Sequence, residues 1–207
     1  MDNNPELVKL LLEKGAKTNV KDHQGYTPLW HAALQQVNNT AQQQANSVKI
    51  AEMLLKHGAD PNLGTEPPLI TACNSRNFEL IKSLVQYGAD VNIRNVKNNY
   101  TPLMCSVHNF QIAEFLTSKG ANANAQDYYG RTVLMCALGF KNTQEIIKIM
   151  NLLIEKGADV NAVSHPYGQK QGETILDPVI FHKYPKEIVD FLRAHGAKTA
   201  EELGAEH

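Results

Sequence analysis

The sequence predicts an all-α solenoid, in which helix-turn-helix units stack on one another and are joined by hairpin-like loops. Three observations indicate this fold class: a recurring Gly-Ala dipeptide, a recurring Thr-Pro-Leu run, and apolar residues at helical spacing between them. The first two signals alternate along the chain, and regular internal repetition of this kind is typical of repeat proteins. Each unit is therefore expected to bury its apolar face against its neighbours.

The longer helix of each unit is predicted from the residues that precede Gly-Ala. Leu stands four positions before the glycine in each copy, apolar residues stand seven and eight positions before it, and a polar residue stands six before it. This spacing places the apolar side chains on one stripe of a helix. Each glycine is expected to take the left-handed conformation that ends a helix. These glycines are Gly15, Gly58, Gly88, Gly120, Gly157 and Gly196.

The shorter helix of each unit is predicted from the Thr-Pro-Leu run and its relatives, which begin at Thr27, Pro67, Thr101, Thr132 and Thr174. Threonine is a preferred N-cap residue, and proline suits the first helical position because its missing N–H would be unpaired there. Small or apolar residues follow, as in 30–34 and 135–138, and they allow two helices to approach closely. One such helix pair cannot bury its stripe alone, which is why stacking is expected.

These signals, together with Gly-Ala-Asp-Val-Asn at 88–92 and 157–161, resemble ankyrin repeats over almost the whole chain. The resemblance implies a single domain at 1–207, with repeats at about 1–21 (partial), 22–62, 63–93, 94–126, 127–162 and 163–203. The family's histidine after Thr-Pro-Leu is missing in every copy, which predicts the loss of one hydrogen bond per repeat. The residues that replace it are Trp30, Ile70, Met104, Met135 and Asp177.

The ends and insertions depart from the regular pattern. Residues 35–46 are polar and uncharged, and we predict a mobile loop or a frayed helix extension there, with a recognition finger as the alternative. A smaller insertion lies at 140–144, and 165–172 lengthens the last loop. The first repeat has no opening helix and begins at Asn4-Pro5-Glu6, which predicts an N-cap followed by a first helical turn. The missing helix favours a segment upstream of Met1, with a short natural cap as the alternative.

Composition excludes several classes of function. The 20 basic and 21 acidic residues give a formal net charge of −1, which argues against general affinity for nucleic acid or anionic membranes. The three cysteines form no CxxC motif, and neither a signal peptide nor a membrane-spanning apolar run is visible. We therefore predict a cytoplasmic monomer. The Asn, Gln and Lys content and the closing segment 196–203, which resembles those of bacterial ankyrin arrays, predict a bacterial source, and delivery into a host cell if that bacterium is host-associated.

No catalytic or metal site is predicted, and no cofactor is implied. Cys73, Cys105 and Cys136 lie one repeat apart and are interpreted as core thiols too distant for a disulfide. His57 and His195 precede helix-ending glycines, where a cation interacts favourably with the helix dipole. No histidine pair has the close spacing of metal ligands, and a pairing of Cys105 with His108 stays open as a disfavoured alternative. We predict that the chain is not an enzyme.

The resemblance implies that the chain binds another protein or a peptide through loop tips and the concave face of the shorter helices. Five of the seven tyrosines fall in loops just before the Thr-Pro-Leu positions, and tyrosine is common in binding hot spots. Trp30, Met104 and Met135 share one helix position and are predicted to form an apolar strip beside these tyrosines. The five tyrosines are Tyr26, Tyr100, Tyr128, Tyr129 and Tyr167.

Two alternatives accompany this prediction. In the first, the tyrosines pack on neighbouring loops and do not contact a partner. In the second, the chain is the targeting array of a larger enzyme or effector, whose catalytic part lies upstream.

Overall fold

The computed structural model describes residues 4–34, 40–139, 142–165 and 172–204 of the 207. The regular secondary structure of these residues is helical. The exceptions are two isolated antiparallel β-bridges, Gln126–Thr132 and Ser164–Glu173. This confirms the all-α fold class. The contacts divide the chain into two compact units, the first ending at Lys97 and the second beginning at Asn98. A single domain over 1–207 stays a prediction.

The described residues of the first unit, 4–34 and 40–97, form five helices. They are α1 (Pro5–Glu13), α2 (Pro28–Ala33), α3 (Ala41–Lys56), α4 (Pro68–Asn74) and α5 (Phe78–Gln86). The short helices α2 and α4 pack against the longer helices α3 and α5, respectively, which follow them in the chain. The long helices stack in the order α1, α3, α5, and α2 stacks on α4. The buried core therefore lies between two layers of helices.

The second unit repeats this arrangement. Its helices are α6 (Pro102–Ser106), α7 (Phe110–Ser118), α8 (Val133–Cys136), α9 (Thr143–Glu155), α10 (Leu176–Phe181) and α11 (Lys186–Ala194), and a 3₁₀ turn, Ala137–Gly139, follows α8. The short helices α6 and α10 pack against α7 and α11, and α9 lies between α7 and α11. The apolar stripe that the sequence predicts is buried here, as at Leu116, Leu153 and Leu192, each with no exposed surface.

The ends of the helices follow from local hydrogen bonds. The hydroxyls of Thr27, Thr101 and Thr132 each accept a bond from the backbone N–H three residues later, at 3.2, 3.4 and 3.2 Å. A threonine cap of this kind contributes about 1 kcal/mol. Asn4 caps α1 in the same way by accepting from the N–H of Leu7 at 3.1 Å. The predicted N-terminal caps are therefore confirmed at these positions.

The Gly-Ala signal marks the same helix ending in every copy. All six glycines have φ between +81° and +89°, a conformation that glycine adopts without strain. The alanine N–H then bonds to the carbonyl of the leucine five residues earlier, at 2.9–3.0 Å. This closure satisfies a carbonyl that the helix would otherwise leave unpaired. At two of these ends, Nδ1 of His57 and Nδ1 of His195 lie 2.8 Å from the carbonyl oxygens of Met53 and Phe191.

Asparagines in the long loops tie successive repeats together within each unit. In the first unit, Nδ2 of Asn62 donates to the Gly88 carbonyl at 3.1 Å, and its Oδ1 accepts from the Asp90 N–H at 2.8 Å. Asn19, Asn124 and Asn161 make the same pair of bonds to the following repeat within their own units. The sequence pattern predicts where these residues lie but not that they link successive repeats.

The predicted loss of a hydrogen bond in every repeat is wrong for the last one. Oδ2 of Asp177 accepts from the N–H and the hydroxyl of Thr174 at 2.7 and 3.0 Å, and from the Ala200 N–H at 3.0 Å. The aspartate therefore anchors the start of the last repeat where the family has histidine. It also connects that start to the closing segment of the chain.

The described parts of the insertions also differ from the predicted loops. Residues 41–46 of the first insertion form the start of α3, and Thr40 and Gln43 close a reciprocal capping box. The predicted helix extension is thus present with a well-formed cap, because both orphan N–H groups are satisfied. Residues 35–39, 140–141 and 166–171 lie outside the described residues.

Candidate partner-binding surface

The candidate surface lies on the turn at residues 127–131 of the second unit. Oδ1 of the buried Asp127 accepts bonds from the backbone N–H groups of Tyr129 and Arg131, at 2.8 and 2.9 Å. Gly130, with φ +72°, donates its N–H to the Asp127 carbonyl at 3.1 Å. One side chain thus holds the backbone of the whole turn. We call the side chains of Tyr100, Tyr128, Tyr129 and Arg131 the loop-tip cluster.

Arg131 links the members of the loop-tip cluster. Its Nε donates to Oδ2 of Asp127 at 2.7 Å, and one terminal nitrogen donates to the Tyr100 hydroxyl at 2.5 Å. The guanidinium carbon also lies 5.8 Å from the centre of the Tyr100 ring and 5.6 Å from that of Tyr129, within cation–π range. Burial raises the pKa of the Tyr100 phenol above its ordinary value, so its hydroxyl is protonated at neutral pH.

The tyrosines of this cluster differ in exposure. Tyr128 is 62% exposed and Tyr129 is 40% exposed, whereas Tyr100 is half-buried. The loop positions predicted for these three tyrosines are confirmed, because each lies between the preceding long helix and the next short helix. Tyr167 lies outside the described residues. Among the tyrosines that the structure describes in the second unit, Tyr128 and Tyr129 therefore offer the most surface to a partner.

The predicted residues of the first unit pack on one another. The rings of Tyr26 and Trp30 are stacked, with centroids 3.7 Å apart and planes 10° apart. Trp30 is 8% exposed, and its Nε1 has no hydrogen-bond partner among the described residues. The His31 ring is nearly perpendicular to the Trp30 ring, and His31 pairs with Asp22 at 2.9 Å. Tyr26 thus packs over a core tryptophan. This contact fits the alternative in which the tyrosines pack on neighbouring loops better than it fits a tyrosine that protrudes to meet a partner.

The apolar strip predicted at Trp30, Met104 and Met135 is not an exposed surface. Met104 is 3% exposed and Met135 is half-buried. The position after Thr-Pro-Leu is thus buried or half-buried in all three of these copies. These side chains contribute their apolar surface mainly to the core.

Sequence reasoning missed one exposed apolar patch on α10. Phe181 is 80% exposed and Ile180 is 46% exposed, next to the buried Val179. The run of three consecutive apolar residues could have indicated this patch. A short helix buries only one face, so three consecutive side chains cannot all point to the core. This patch is a second apolar surface of the second unit, separate in sequence from the loop-tip cluster.

Neither a metal-ligand cluster nor a membrane-spanning helix is found among the described residues. Across 4–34, 40–139, 142–165 and 172–204, no group of three or more His, Cys, Asp or Glu side chains could hold a metal ion. No helix within those same stretches is both long and apolar enough to cross a bilayer. Cys73 is buried as predicted, but Cys105 and Cys136 are only half-buried, and none of the three forms a disulfide. Burial raises the pKa of Cys136 to about 11, which keeps it protonated and weakly nucleophilic.

Helix pairs, glycine closures and asparagine links define a helical-repeat array that presents side chains on its loop tips. A family model described as ankyrin repeats in three copies matches three overlapping stretches, 1–65, 40–127 and 69–164. The chain belongs to the ankyrin-repeat family.

A solved structure and several relatives agree with this family. An ankyrin repeat domain from Acinetobacter baumannii AYE is 26% identical, with a TM-score of 0.76 over 94% of this chain and 93% of that one. The human ankyrin repeat and SOCS box protein 6 is 30% identical over 74% of this chain and 41% of its own length. An ankyrin repeat protein of Acanthamoeba polyphaga mimivirus is 28% identical over 70% of this chain and 24% of its own length. The chain therefore spans less than half the length of these curated relatives.

Proposed function

We propose that this chain is a protein-interaction module and that it holds a partner protein or peptide through the loop-tip cluster. Ankyrin repeats are in general protein–protein interaction modules, which supports the class of function. The observation that carries the proposal is the pair of exposed rings, Tyr128 and Tyr129, on a turn that Asp127 holds through three hydrogen bonds.

The geometry of the cluster favours tight contact. A turn that is already ordered loses little conformational entropy when a partner binds, so more of the contact energy appears as affinity. Tyrosine and arginine are among the residue types most often found in hot spots, and here the Arg131 guanidinium lies against two tyrosine rings. The Arg131 side chain, which is 46% exposed, adds further contact surface.

The charge of the cluster indicates the kind of partner. Asp127 pairs with Arg131 at 2.7 Å, so the loop-tip cluster and Asp127 together carry no net charge. We therefore expect a partner segment that offers apolar side chains and hydrogen-bonding groups, and not a strongly acidic one. Phe181 and Ile180 extend the apolar surface available to the second unit.

The test compares two tyrosine variants in quantitative capture from lysates. The double variant Tyr128→Ala with Tyr129→Ala is expected to keep the helical circular dichroism spectrum of the parent and to weaken capture of the partner at least about tenfold, as for hot-spot residues. Tyr87→Ala is the matched control, because Tyr87 is also exposed, at 36%, but lies at the end of α5. Equal capture by the parent and the double variant would remove the loop-tip cluster from the site.

A second candidate is that the chain is the targeting array of a larger enzyme or secreted effector. Its support is that the part of these relatives that matches is only 24% and 41% of their own length. The reading frame upstream of Met1 decides this: a continuous frame encoding a second domain favours the larger protein, and an in-frame stop codon argues against it. A bacterial source, a cytoplasmic location and a monomeric state complete the proposal.

A further inference from the structure

The turn at residues 127–131 lies between two other loops of the second unit. The Tyr128 N–H donates to the Asn98 carbonyl at 3.2 Å, and the Tyr129 carbonyl accepts from the His165 N–H at 3.1 Å. The turn therefore has a bonded neighbour on each side. The exposure of the Tyr128 and Tyr129 rings is a property of the turn in its place within the array, and not of a face that a further repeat would cover.

These two bonds argue against a partner that adds a β-strand. Strand addition uses a row of unpaired backbone N–H and C=O groups along an edge. Here the Tyr128 N–H and the Tyr129 carbonyl are both bonded to neighbouring loops. A partner strand would have to break these bonds before it could pair with the turn.

Two other common modes of peptide recognition also fit poorly. An amphipathic helix docks in an apolar groove, and an acidic motif docks on a cluster of arginines. The loop-tip cluster instead presents exposed rings on the outside of a turn. Its arginine, Arg131, is paired with Asp127, whose side chain is fully buried. The partner is therefore expected to be neither a helix laid in a groove nor a strongly acidic segment.

Arg131 offers fixed hydrogen-bond donors beside these rings. Its Nε donates to Asp127 and one terminal nitrogen donates to the Tyr100 hydroxyl, which together hold the guanidinium in place. Its other N–H groups have no hydrogen-bond partner within the part of the chain that the structure describes, and the side chain is 46% exposed. The buried carboxylate of Asp127 uses both of its oxygens inside the turn. The site is thus suited to a ligand that supplies acceptors.

A proline-rich segment has the properties that complement such a site. Proline has no N–H, so the segment is rich in backbone acceptors and poor in donors. The polyproline II helix has no internal hydrogen bonds, which leaves its carbonyls available. Its rings pack on exposed aromatic side chains, and its preformed conformation lowers the entropy cost of binding.

From these observations we propose that the loop-tip cluster binds an uncharged, proline-rich segment of a partner protein in the polyproline II conformation. Proline rings pack on Tyr128 and Tyr129, and a backbone carbonyl accepts a hydrogen bond from Arg131. This inference rests on the proposed function and adds the chemistry of the partner. Arg131 is then the residue that selects a segment rich in carbonyl acceptors.

The first test is an NMR titration of the full chain with decaproline, acetylated and amidated so that it carries no charge. Saturable shifts are expected at the Arg131 Nε–H and at the amides of Tyr129 and Arg131. A capped Gly-Ser peptide of the same length is the control and is expected to give none, because it is flexible and lacks proline rings. The affinity is expected to be weak, since a short segment makes few contacts.

A second peptide tests the charge of the partner. A capped peptide of alternating proline and glutamate adds carboxylates to a proline-containing chain of the same length. It is expected to bind no more tightly than decaproline at physiological salt, because Asp127 already compensates the charge of Arg131.

Variants assign the binding to the cluster. Tyr128→Ala with Tyr129→Ala is expected to abolish the saturable shifts. Arg131→Lys is expected to weaken decaproline binding at least about fivefold, because lysine keeps the charge but loses the planar fork of donors. Tyr87→Ala is the matched control and is expected to stay within about twofold of the parent. Tyr128→Ala alone serves if Arg131→Lys disturbs the helical circular dichroism spectrum.

Three outcomes would overturn the inference: no saturable shift with decaproline, equal shifts with the Gly-Ser peptide, or tighter binding of the proline–glutamate peptide. If the double tyrosine variant loses capture from lysates while decaproline does not bind the parent, the inference is wrong and the proposed function stands. The proposed function fails on a different result, namely equal capture from lysates by the parent and the double variant.

Discussion

Two turns with almost the same backbone, one in each unit, present their side chains in opposite ways. Asp22 in the first unit and Asp127 in the second each accept bonds through Oδ1 from the N–H groups two and four residues later, at 2.8–3.0 Å. In both turns a glycine with positive φ follows three residues after the aspartate. The scaffold of the two turns is therefore the same.

The partner of Oδ2 in each aspartate accounts for part of the difference in how the two turns present their side chains. Oδ2 of Asp22 pairs with His31, and the neighbouring Tyr26 stacks on Trp30. Oδ2 of Asp127 pairs with Arg131, whose guanidinium lies over the Tyr100 and Tyr129 rings at the surface. The Asp22 side chain is 37% exposed, while that of Asp127 is fully buried. The same type of turn thus packs its tyrosine against the core in the first unit and exposes tyrosine rings at the surface in the second.

Replacement of each aspartate by alanine is expected to give the largest difference between the two turns, measured as the loss in free energy of unfolding. Asp127→Ala deletes three hydrogen bonds from a buried carboxylate and leaves Arg131 without its partner, so we expect a loss of about 2–4 kcal/mol in the free energy of unfolding. Asp22→Ala is expected to cost clearly less, because water replaces the lost partners at an exposed side chain. Urea unfolding of both variants measures the difference, and equal losses would show that burial does not separate the two turns.

Replacement of the glycine in each turn is expected to give the next largest difference in the free energy of unfolding. A Cβ at Gly130 would lie 3.2 Å from backbone atoms of Ser164 and His165, in addition to the strain of φ +72°. A Cβ at Gly25, at φ +81°, would meet the Thr65 side chain at 2.6 Å, and a side chain can rotate away. Gly130→Ala is therefore expected to lower the free energy of unfolding by about 1–3 kcal/mol, and Gly25→Ala by less. Thermal unfolding checks the order, and a larger loss at Gly25 would contradict it.

The smallest expected effect is on the titration of Asp22. The hydrogen bond from His31, followed by those from backbone N–H groups, holds the pKa of Asp22 below its ordinary value of 3.8. A depressed folded pKa gives stabilisation that is present above the ordinary pKa and is lost as the pH falls through the lowered one. In His31→Ala the pKa is expected to rise towards the ordinary value, and a carbon-detected NMR titration of the carboxyl group measures it. An unchanged pKa would assign the shift to the backbone N–H groups alone.

The local features of the fold were predictable because they depend on a few neighbouring residues. Thr27 and Thr132 cap helices through an N–H three residues away, and the Gly-Ala closures span five residues. The family followed from the same signals, since they recur in register. The asparagine links were only partly predictable, because Asn62 and Gly88 are 26 residues apart and the sequence does not show that they meet.

The candidate surface was less predictable, because the exposure of its side chains also depends on residues that are distant along the chain. The sequence grouped Tyr26 with Tyr128 and Tyr129 by their place before Thr-Pro-Leu, but exposure depends on what lies beside each ring. Met104 illustrates the point, because its position looked like a surface strip and proved to be core, at 3% exposed. Phe181 shows the reverse case, since an apolar residue on a short helix is 80% exposed.

The repeat family, the ends of the helices and the apolar stripe follow from the amino-acid sequence, because these are set by contacts within one turn or by a pattern that recurs from unit to unit. Three-dimensional packing establishes which rings are displayed and how Asp127 and Arg131 join Tyr100 to the turn. Burial depends on neighbours that are distant along the chain, and identical local patterns acquire different roles when those neighbours differ.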